Sequence, residues 1–225
     1  YGCKFCASGL DGLSRNLTAA EIVSQIILAE ELSGEKVNNL VFMGMGEPLA
    51  NFTNLSNALQ MVTSDWGLKI GARRITVSTS GLVPQIKKLA ELPQQIRLAI
   101  SLHGPDDVTR EKIMPVNKKY PVAELFDALR IWNSKKNQKI TLEYILIDGI
   151  NASSEQAGIL AKRARSIRAK VNLIPYNTVE GLPWVRPNDQ DCLRFKKVLT
   201  NAGVSATLRL EKGHDINAAC GQLRL

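Results

Sequence analysis

The strongest constraint on the fold is a regular alternation of short apolar segments with amphipathic segments along the whole chain. The apolar segments predict β-strands at residues 40–43, 74–78, 96–101, 139–147, 170–174 and 204–208. The segments between them predict helices at residues 18–34, 54–64, 122–133, 153–166 and 190–201, with a further helix that begins near Pro84. Because alternating strands and helices form parallel sheets with right-handed crossovers, the predicted fold class is α/β.

Polar clusters follow the predicted strands at their carboxyl ends. They occupy residues 44–48, 78–81, 101–103, 148–151 and 175–177. Barrels of alternating strands and helices carry their active sites at this edge. The sequence therefore predicts an open partial barrel with one functional mouth, and a doubly wound open sheet is the alternative.

Composition restricts the class of protein. The chain has 225 residues, a formal net charge of +8 and a pI of about 9.4. Such a charge suits either phosphate contacts with nucleic acid or a solvated basic surface. No apolar run reaches the roughly 18 residues of a membrane span, so we expect no membrane association. Four cysteines are too few for a disulfide scaffold and favour a cytoplasmic protein.

The first residues carry a C-x-x-C motif, Cys3 to Cys6. Such a pair can be half of a zinc site, a redox dithiol, part of an iron–sulfur site or two structural cysteines. Zinc usually needs a second close pair, whereas Cys192 and Cys220 stand singly. An aromatic residue between the thiols and a long helix after the loop favour a cluster loop. Because the chain begins inside this motif and lacks an initiator Met, we interpret it as a fragment.

The strand-end clusters offer groups that bind small molecules. The glycines at 44 and 46 allow close backbone approach, and exposed carbonyls there can hold an ammonium group, although an ordinary tight turn explains them equally well. The hydroxyls at 78–80 suit a carboxylate or phosphate, or they cap the next helix. His103 is a candidate only because it lies at the end of a predicted strand, since a lone histidine is usually structural. Asn177 can read an adenine edge or cap a turn.

Cys220 lies near the end of the chain among small residues, Ala218, Ala219 and Gly221. These neighbours leave a thiol accessible, as a nucleophile requires. The alternative is a small buried cysteine, which is the usual fate of a lone one.

Together the motifs resemble those of the RlmN family, in the family's order and along the whole chain. The matching segments are residues 2–6, 16–18, 43–49, 77–81, 101–103, 114–117, 172–177 and 215–223. The resemblance implies a radical S-adenosylmethionine (SAM) fold, a partial (β/α)6 barrel with a mostly parallel sheet and outer helices. We expect the barrel's first strand to lie outside this chain.

The resemblance also implies the cofactors and their ligands. Cys3 and Cys6 match the second and third cysteines that hold a 4Fe–4S cluster, and the first would lie four positions before Cys3, outside this chain. Cys220 matches the cysteine that becomes S-methylated. The matched SAM contacts are Gly46, Glu47, Ser78, Ser101, Leu102, His103 and Asn177.

The implied activity is methylation of adenosine C2 in 23S rRNA and certain tRNAs, with an electron donor such as flavodoxin. Residues 1–225 then form the radical SAM catalytic domain. The family's N-terminal domain, with an acidic proton acceptor, and a second cysteine that resolves the protein–RNA adduct are expected outside this chain.

Three alternatives stay open. The Cfr family methylates C8 of the same base, but it resembles this chain less at Pro48, Ser80 and Pro175. A noncatalytic RNA-binding barrel needs no thiols, which argues against it. A zinc protein is the third alternative, and metal analysis distinguishes it.

Overall fold

The structure is a computed structural model that describes residues 2–6, 12–43, 46–179 and 181–209. The strands are β1 Leu40–Phe42, β2 Ile75–Thr79, β3 Arg97–Ser101, β4 Thr141–Leu146, β5 Lys170–Pro175 and β6 Ala206–Leu208. The α-helices are α1 Ala19–Ser33, α2 Phe52–Thr63, α3 Val83–Glu91, α4 Asp107–Ile113, α5 Val122–Lys135, α6 Ser154–Ser166 and α7 Asp189–Asn201. Short 3-10 helices occupy Pro48–Asn51, Ala72–Arg74 and Pro115–Lys118.

The strands form one six-stranded sheet in the order β1-β2-β3-β4-β5-β6. Every neighbouring pair is parallel. Each crossover contains at least one helix, which is the connection that parallel neighbours require. The predicted α/β fold with a parallel sheet and outer helices is therefore confirmed.

The sheet presents two chemically different faces. Alternate residues of the central strands are apolar, fully buried and part of the same core as the helices, and they include Ile75, Val77, Leu98, Ile100, Leu142, Tyr144 and Leu173. Because successive strand residues point to opposite faces, the residues between them share the second face. We call this second face the polar face, and it carries Thr76, Ser78, Ser101, Thr141, Glu143 and Asn172.

Local sequence signals explain where α1 begins and ends. The side chain of Thr18 accepts a hydrogen bond from the backbone of Glu21, and the Glu21 carboxylate accepts one from the backbone of Thr18. This reciprocal pair satisfies two amide groups that the first helical turn leaves open. Gly34 ends the helix in the left-handed conformation, with φ 68°. The helix predicted at residues 18–34 is therefore confirmed, with Thr18 and Gly34 as its two caps.

Most predicted boundaries differ from the structure by one or two residues, and one helix was not predicted at all. Helix α4 lies between β3 and α5 and was not predicted, because it has only seven residues and only Ile113 anchors it with a large apolar side chain. Its N-cap is Asp106, whose carboxylate accepts a hydrogen bond from Thr109 N. The last strand is shorter than the predicted 204–208. No described helix combines the length and the apolar character that crossing a membrane requires.

Candidate active site

The predicted SAM contacts all lie at the carboxyl edge of the sheet. Because the strands are parallel, their carboxyl ends share one edge. Gly46 and Glu47 follow β1, while Ser78 and Ser101 are among the last residues of β2 and β3. Leu102 and His103 follow β3, and Asn177 follows β5. The edge therefore gathers these residues, as their positions in the sequence had predicted.

Glu47 ties the β1 turn to the β2 turn. Its Oε2 accepts hydrogen bonds from the backbone N and the hydroxyl of Ser80, both at 2.7 Å. Its Oε1 accepts from Leu49 N at 3.0 Å. Both carboxylate oxygens thus have partners inside the protein. The hydroxyls of Ser78 and Ser101, by contrast, form no hydrogen bond within the described residues, and they can receive a ligand.

His103 is held as a neutral ring beneath the cysteine loop. Its Nδ1 accepts a hydrogen bond from Ile145 N at 3.0 Å, which places the proton of the neutral ring on Nε2. Burial, with a smaller contribution from the Arg110 charge, lowers the His103 pKa to about 3. The ring packs edge-to-face on Phe5, with the centroids 4.9 Å apart. His103 also has a positive φ of 55°, so this turn is tightly constrained.

Asn151 fixes the turn that contains His103. Its Nδ2 donates to the carbonyls of His103 and Ile145 at 2.7 and 2.6 Å, and its Oδ1 accepts from Ile147 N at 2.7 Å. The side chain is fully buried. One amide therefore joins the end of β4 to the turn after β3, and its position in the loop after β4 was the only sequence signal.

Arg110 is a fully buried cation that the sequence had not singled out. Its Nε donates to Leu102 O at 3.0 Å, one terminal nitrogen donates to Ser80 O at 2.5 Å, and the other donates to Asn117 Oδ1 at 3.0 Å. Burial lowers the Arg110 pKa to about 10, so the group stays charged at neutral pH. Its fork thus joins the turns after β2 and β3, both of which contain predicted SAM contacts.

Two glycines make room for this guanidinium. A Cβ on Gly104 would lie 2.5 Å from the backbone N and Cα of Arg110. A Cβ on Gly81 would lie 3.1 Å from a terminal nitrogen of Arg110, and Gly81 has a positive φ of 106°. The network continues outward, because Asn117 also donates to the Asp107 carboxylate at 2.9 Å.

The cysteine loop rests on α4 and on the His103 turn. Lys4 N donates to Ile113 O at 2.9 Å, and the Trp184 indole donates to Lys4 O at 3.1 Å. Cys6 N donates to Cys3 O at 3.3 Å, so a single turn carries both thiols. Burial and the nearby Cys6 thiol raise the pKa of Cys3 to about 11, and the Arg110 charge acts in the opposite direction.

A buried carboxylate lies on the polar face next to the predicted SAM residues. Glu143 is 8% exposed, and its Oε2 accepts a hydrogen bond from Asn172 Nδ2 at 2.7 Å. Burial raises its pKa, while the Asn172 hydrogen bond and the charges of Arg209 and Lys170 act against that rise. Glu143 was not among the predicted site residues, although an acidic residue inside the apolar segment 139–147 was a signal.

The last two predicted site residues are Asn177, which the structure describes, and Cys220, which it does not. Asn177 is 4% exposed and lies just beyond β5, at the carboxyl edge. Cys220 lies outside the described residues, so its distance from the edge is not given by the structure.

Comparison with models of known protein families identifies the superfamily of the chain. The model of the radical SAM superfamily matches residues 1–157. The chain belongs to the radical SAM superfamily. The match includes the cysteine loop and strands β1 to β4.

Among radical SAM proteins, the chain is similar to several named RlmN. It is 61% identical over 225 residues to a probable dual-specificity RNA methyltransferase RlmN of Akkermansia muciniphila, covering 100% of this chain and 63% of that relative. It is 56% identical over 234 residues to one of Opitutus terrae, with the same two coverages. The resemblance noted in the sequence motifs is confirmed, and the chain spans about 63% of the length of these relatives.

Solved structures agree on the fold. A radical SAM methyltransferase from Sphaerobacter thermophilus superposes with a TM-score of 0.95 at 45% identity, covering 99% of this chain and 66% of that one. SuiB of Streptococcus suis, bound to SAM, superposes with a TM-score of 0.68 at 17% identity, covering 97% of this chain and 53% of that one. At such low identity the second likeness shows the fold alone.

The radical SAM superfamily implies a 4Fe–4S cluster and SAM, and the donor set fits both. Thiolates are the ligands of such clusters, and Cys3 and Cys6 share one turn at the carboxyl edge. Among the described residues, no group of three His, Cys, Asp or Glu side chains could hold a metal ion by itself, and Cys3 and Cys6 are the two thiols there that could contribute to a cluster. The hydroxyls of Ser78 and Ser101 fit the polar groups of SAM.

Proposed function

We propose that residues 1–225 form the catalytic domain of an RNA methyltransferase that makes 2-methyladenosine in 23S rRNA and certain tRNAs. The observation that carries the proposal is the 61% identity, over the whole chain, to a relative that is named a dual-specificity RNA methyltransferase. The positions of the motif residues on one edge of the sheet support it, because a reaction of this kind must hold two ligands and a thiol in one place.

The chain's own residues receive roles from this proposal. Cys3 and Cys6 hold the 4Fe–4S cluster. SAM is bound and oriented by the residues at the carboxyl edge of the sheet, namely Gly46, Glu47, Ser78, Ser101, Leu102, His103 and Asn177. Together the cluster and SAM supply a carbon-centred radical, which is the chemistry that an unreactive adenine carbon demands. Cys220 carries the methyl group as an S-methylcysteine and must reach the base at the carboxyl edge.

The remaining parts of the proposal concern partners and place. The net charge of +8 supports contacts with RNA phosphates, whose strength falls as salt rises. The cluster must be reduced, and we propose an acidic electron-transfer protein such as flavodoxin as the donor. Because rRNA and tRNA are the proposed substrates, we place the enzyme in the cytoplasm.

The test uses the full-length protein that contains this chain. Unmodified RNA is incubated anaerobically with the reconstituted enzyme, SAM and a reductant, and its nucleosides are analysed by mass spectrometry. The expected product is 2-methyladenosine. Cys220→Ala should keep its iron–sulfur absorbance and its SAM binding but methylate no RNA, because the methyl carrier is gone. Peptide mass spectrometry of the wild type should find an added methyl group on Cys220.

Cys192→Ala is the matched control. Cys192 is buried in α7, and its thiol donates to the carbonyl of Pro187. We expect this variant to stay active after a small loss of stability. Normal methylation by Cys220→Ala would refute the methyl-carrier role. An 8-methyladenosine product would favour the Cfr-type reaction, and zinc without iron in the purified protein would refute the cluster.

A further inference from the structure

The polar face contains a row of side chains that continues from the predicted SAM residues into the centre of the sheet. Ser101 pairs with Glu143 across β3 and β4. Glu143 pairs with Asn172, and Asn172 pairs with Thr207 on the edge strand. Residues that pair in register on neighbouring strands lie about 5 Å apart and point to the same side. A ligand on the Ser101 hydroxyl is therefore within reach of the Glu143 carboxylate.

Burial of Glu143 disfavours the charged form of its carboxylate. It is buried, and within the described part of the chain Asn172 is its one hydrogen-bond donor, on Oε2. No described Lys or Arg nitrogen lies within 4.0 Å of it, although Arg209 and Lys170 act on it from farther away. Within the described residues Oε1 accepts no hydrogen bond, so it is open to a donor from a ligand.

The charge balance indicates which kind of donor fits. Arg209 and Lys170 already oppose part of the negative charge on Glu143, so a further cation is not needed there. Neutral hydroxyl groups donate strongly to a carboxylate, so the oxygen that Asn172 leaves open suits one hydroxyl group of a ligand. Dinucleotide-binding folds use an acidic residue at a ribose hydroxyl for the same reason.

We propose that Glu143 binds the ribose of SAM, accepting a hydrogen bond from a ribose hydroxyl on Oε1 while Asn172 holds Oε2. The inference rests on the proposed function, because it takes SAM to be the ligand at Ser101. Asn172 is then a positioning residue, and its amide keeps the carboxylate turned along the row. The adenosine of an RNA substrate also has a ribose, and the experiment separates the two sources.

The test is a thermodynamic cycle with the full-length, cluster-loaded protein under anaerobic conditions. Isothermal titration calorimetry measures binding of SAM and of its 2′-deoxy and 3′-deoxy analogues to the wild type and to Glu143→Leu. Removing the contacted hydroxyl should weaken binding to the wild type about tenfold or more, as a hydrogen bond to a charged group implies. Glu143→Leu should bind SAM about tenfold more weakly and lose nothing further with the deoxy analogue.

A merely structural role for Glu143 predicts a different pattern. A distorted site would weaken SAM and the deoxy analogue by the same factor, so their ratio would stay as in the wild type, and this result would overturn the inference. If Glu143→Leu does not fold, Glu143→Gln keeps the Asn172 bond and should still reduce the ratio. Glu124→Gln, an exposed acidic site on α5, is the control and should leave the ratio unchanged.

Measuring RNA binding by the same variants distinguishes the ribose of SAM from the ribose of the RNA substrate. If Glu143→Leu weakens RNA binding but leaves the SAM and deoxy-SAM affinities unchanged, the carboxylate serves the substrate ribose and the inference is wrong. A wild-type protein that does not bind SAM would overturn the proposed function and this inference together. SAM binding with unchanged sensitivity to both hydroxyls in Glu143→Leu would overturn the inference alone.

Discussion

Removing the side chain of Arg110 should lower the free energy of unfolding more than most single substitutions do. Replacing it with leucine leaves three buried acceptors without their donor: Leu102 O, Ser80 O and Asn117 Oδ1. Each unsatisfied acceptor costs about 1–3 kcal/mol. Part of this loss is offset, because burying a guanidinium itself costs several kcal/mol. The expected net loss in the free energy of unfolding is about 3–5 kcal/mol, a large share of the roughly 5–15 kcal/mol typical of a domain.

Urea denaturation of the full-length protein, followed by tryptophan fluorescence, measures this loss. Arg130→Leu is the matched control, because Arg130 is exposed and pairs with Asp127 on its own helix. Such surface pairs contribute no more than about 1 kcal/mol. Arg110→Lys should lie between the two, since an ammonium keeps the charge but cannot match the planar fork. A loss of less than about 1 kcal/mol for Arg110→Leu would refute the view that this guanidinium holds the turns together.

Two further predictions concern the same turns. The His103 ring should stay neutral, with its proton on Nε2, from pH 8 to pH 5 in an NMR titration, because its pKa is lowered to about 3. Since the unfolded ring binds a proton at about pH 6.5, stability should fall as the pH drops below that value, and a His103 resonance that titrates near pH 6.5 would contradict this. Gly104→Ala should lower the melting temperature sharply, because its Cβ meets the Arg110 backbone at 2.5 Å. Gly158→Ala, in α6 with no atom near its Cβ, should be neutral or stabilising, and equal effects of the two would contradict the packing reason.

The fold was predictable because its signals are local and repeated. Each strand is an apolar segment followed by polar residues, and α1 has a capping box at Thr18 and a glycine stop at Gly34. Parallel order then follows from the alternation itself. Helix α4 escaped prediction because seven residues around Ile113 give no apolar periodicity, and its start depends on Asp106 alone. The residues that a resemblance could align were those in motifs, and the motifs at residues 77–81, 101–103 and 172–177 lie at strand ends.

The supporting network was not predictable from the sequence. Arg110 sits on a short helix among charged neighbours, and nothing local distinguishes it from a solvated arginine. Its function depends on carbonyls that are 8 and 30 residues away in the chain. Glu143 and Asn172 are 29 residues apart and meet only through the strand register. Long-range hydrogen bonds of this kind are visible only once the sheet has been assembled.

The carboxyl edge divides its polar groups into two kinds. Some are used within the protein: the Glu47 carboxylate, the Arg110 fork and the Asn151 amide each join one turn to another. Others have no hydrogen-bond partner in the described part of the chain, namely the hydroxyls of Ser78 and Ser101 and one oxygen of Glu143. The first kind sets the geometry of the turns, and the second kind is available to a ligand on the polar face.

This division leads to a difference between the variants that can be measured. Replacing a group that joins two turns, such as Arg110 or Asn151, removes bonds that exist without any ligand. Such a variant should lose stability with and without SAM, and its affinity for SAM should fall only as far as the turns shift. Replacing Ser101 with alanine removes a hydroxyl that has no described partner, so the free energy of unfolding without SAM should change by less than about 0.5 kcal/mol. The added stability that saturating SAM confers should fall in the same variant, because ligand stabilisation depends on affinity. If Ser101→Ala loses as much stability without SAM as Asn151→Ala does, the two kinds of group are not separate, and the hydroxyl belongs to the framework of the sheet.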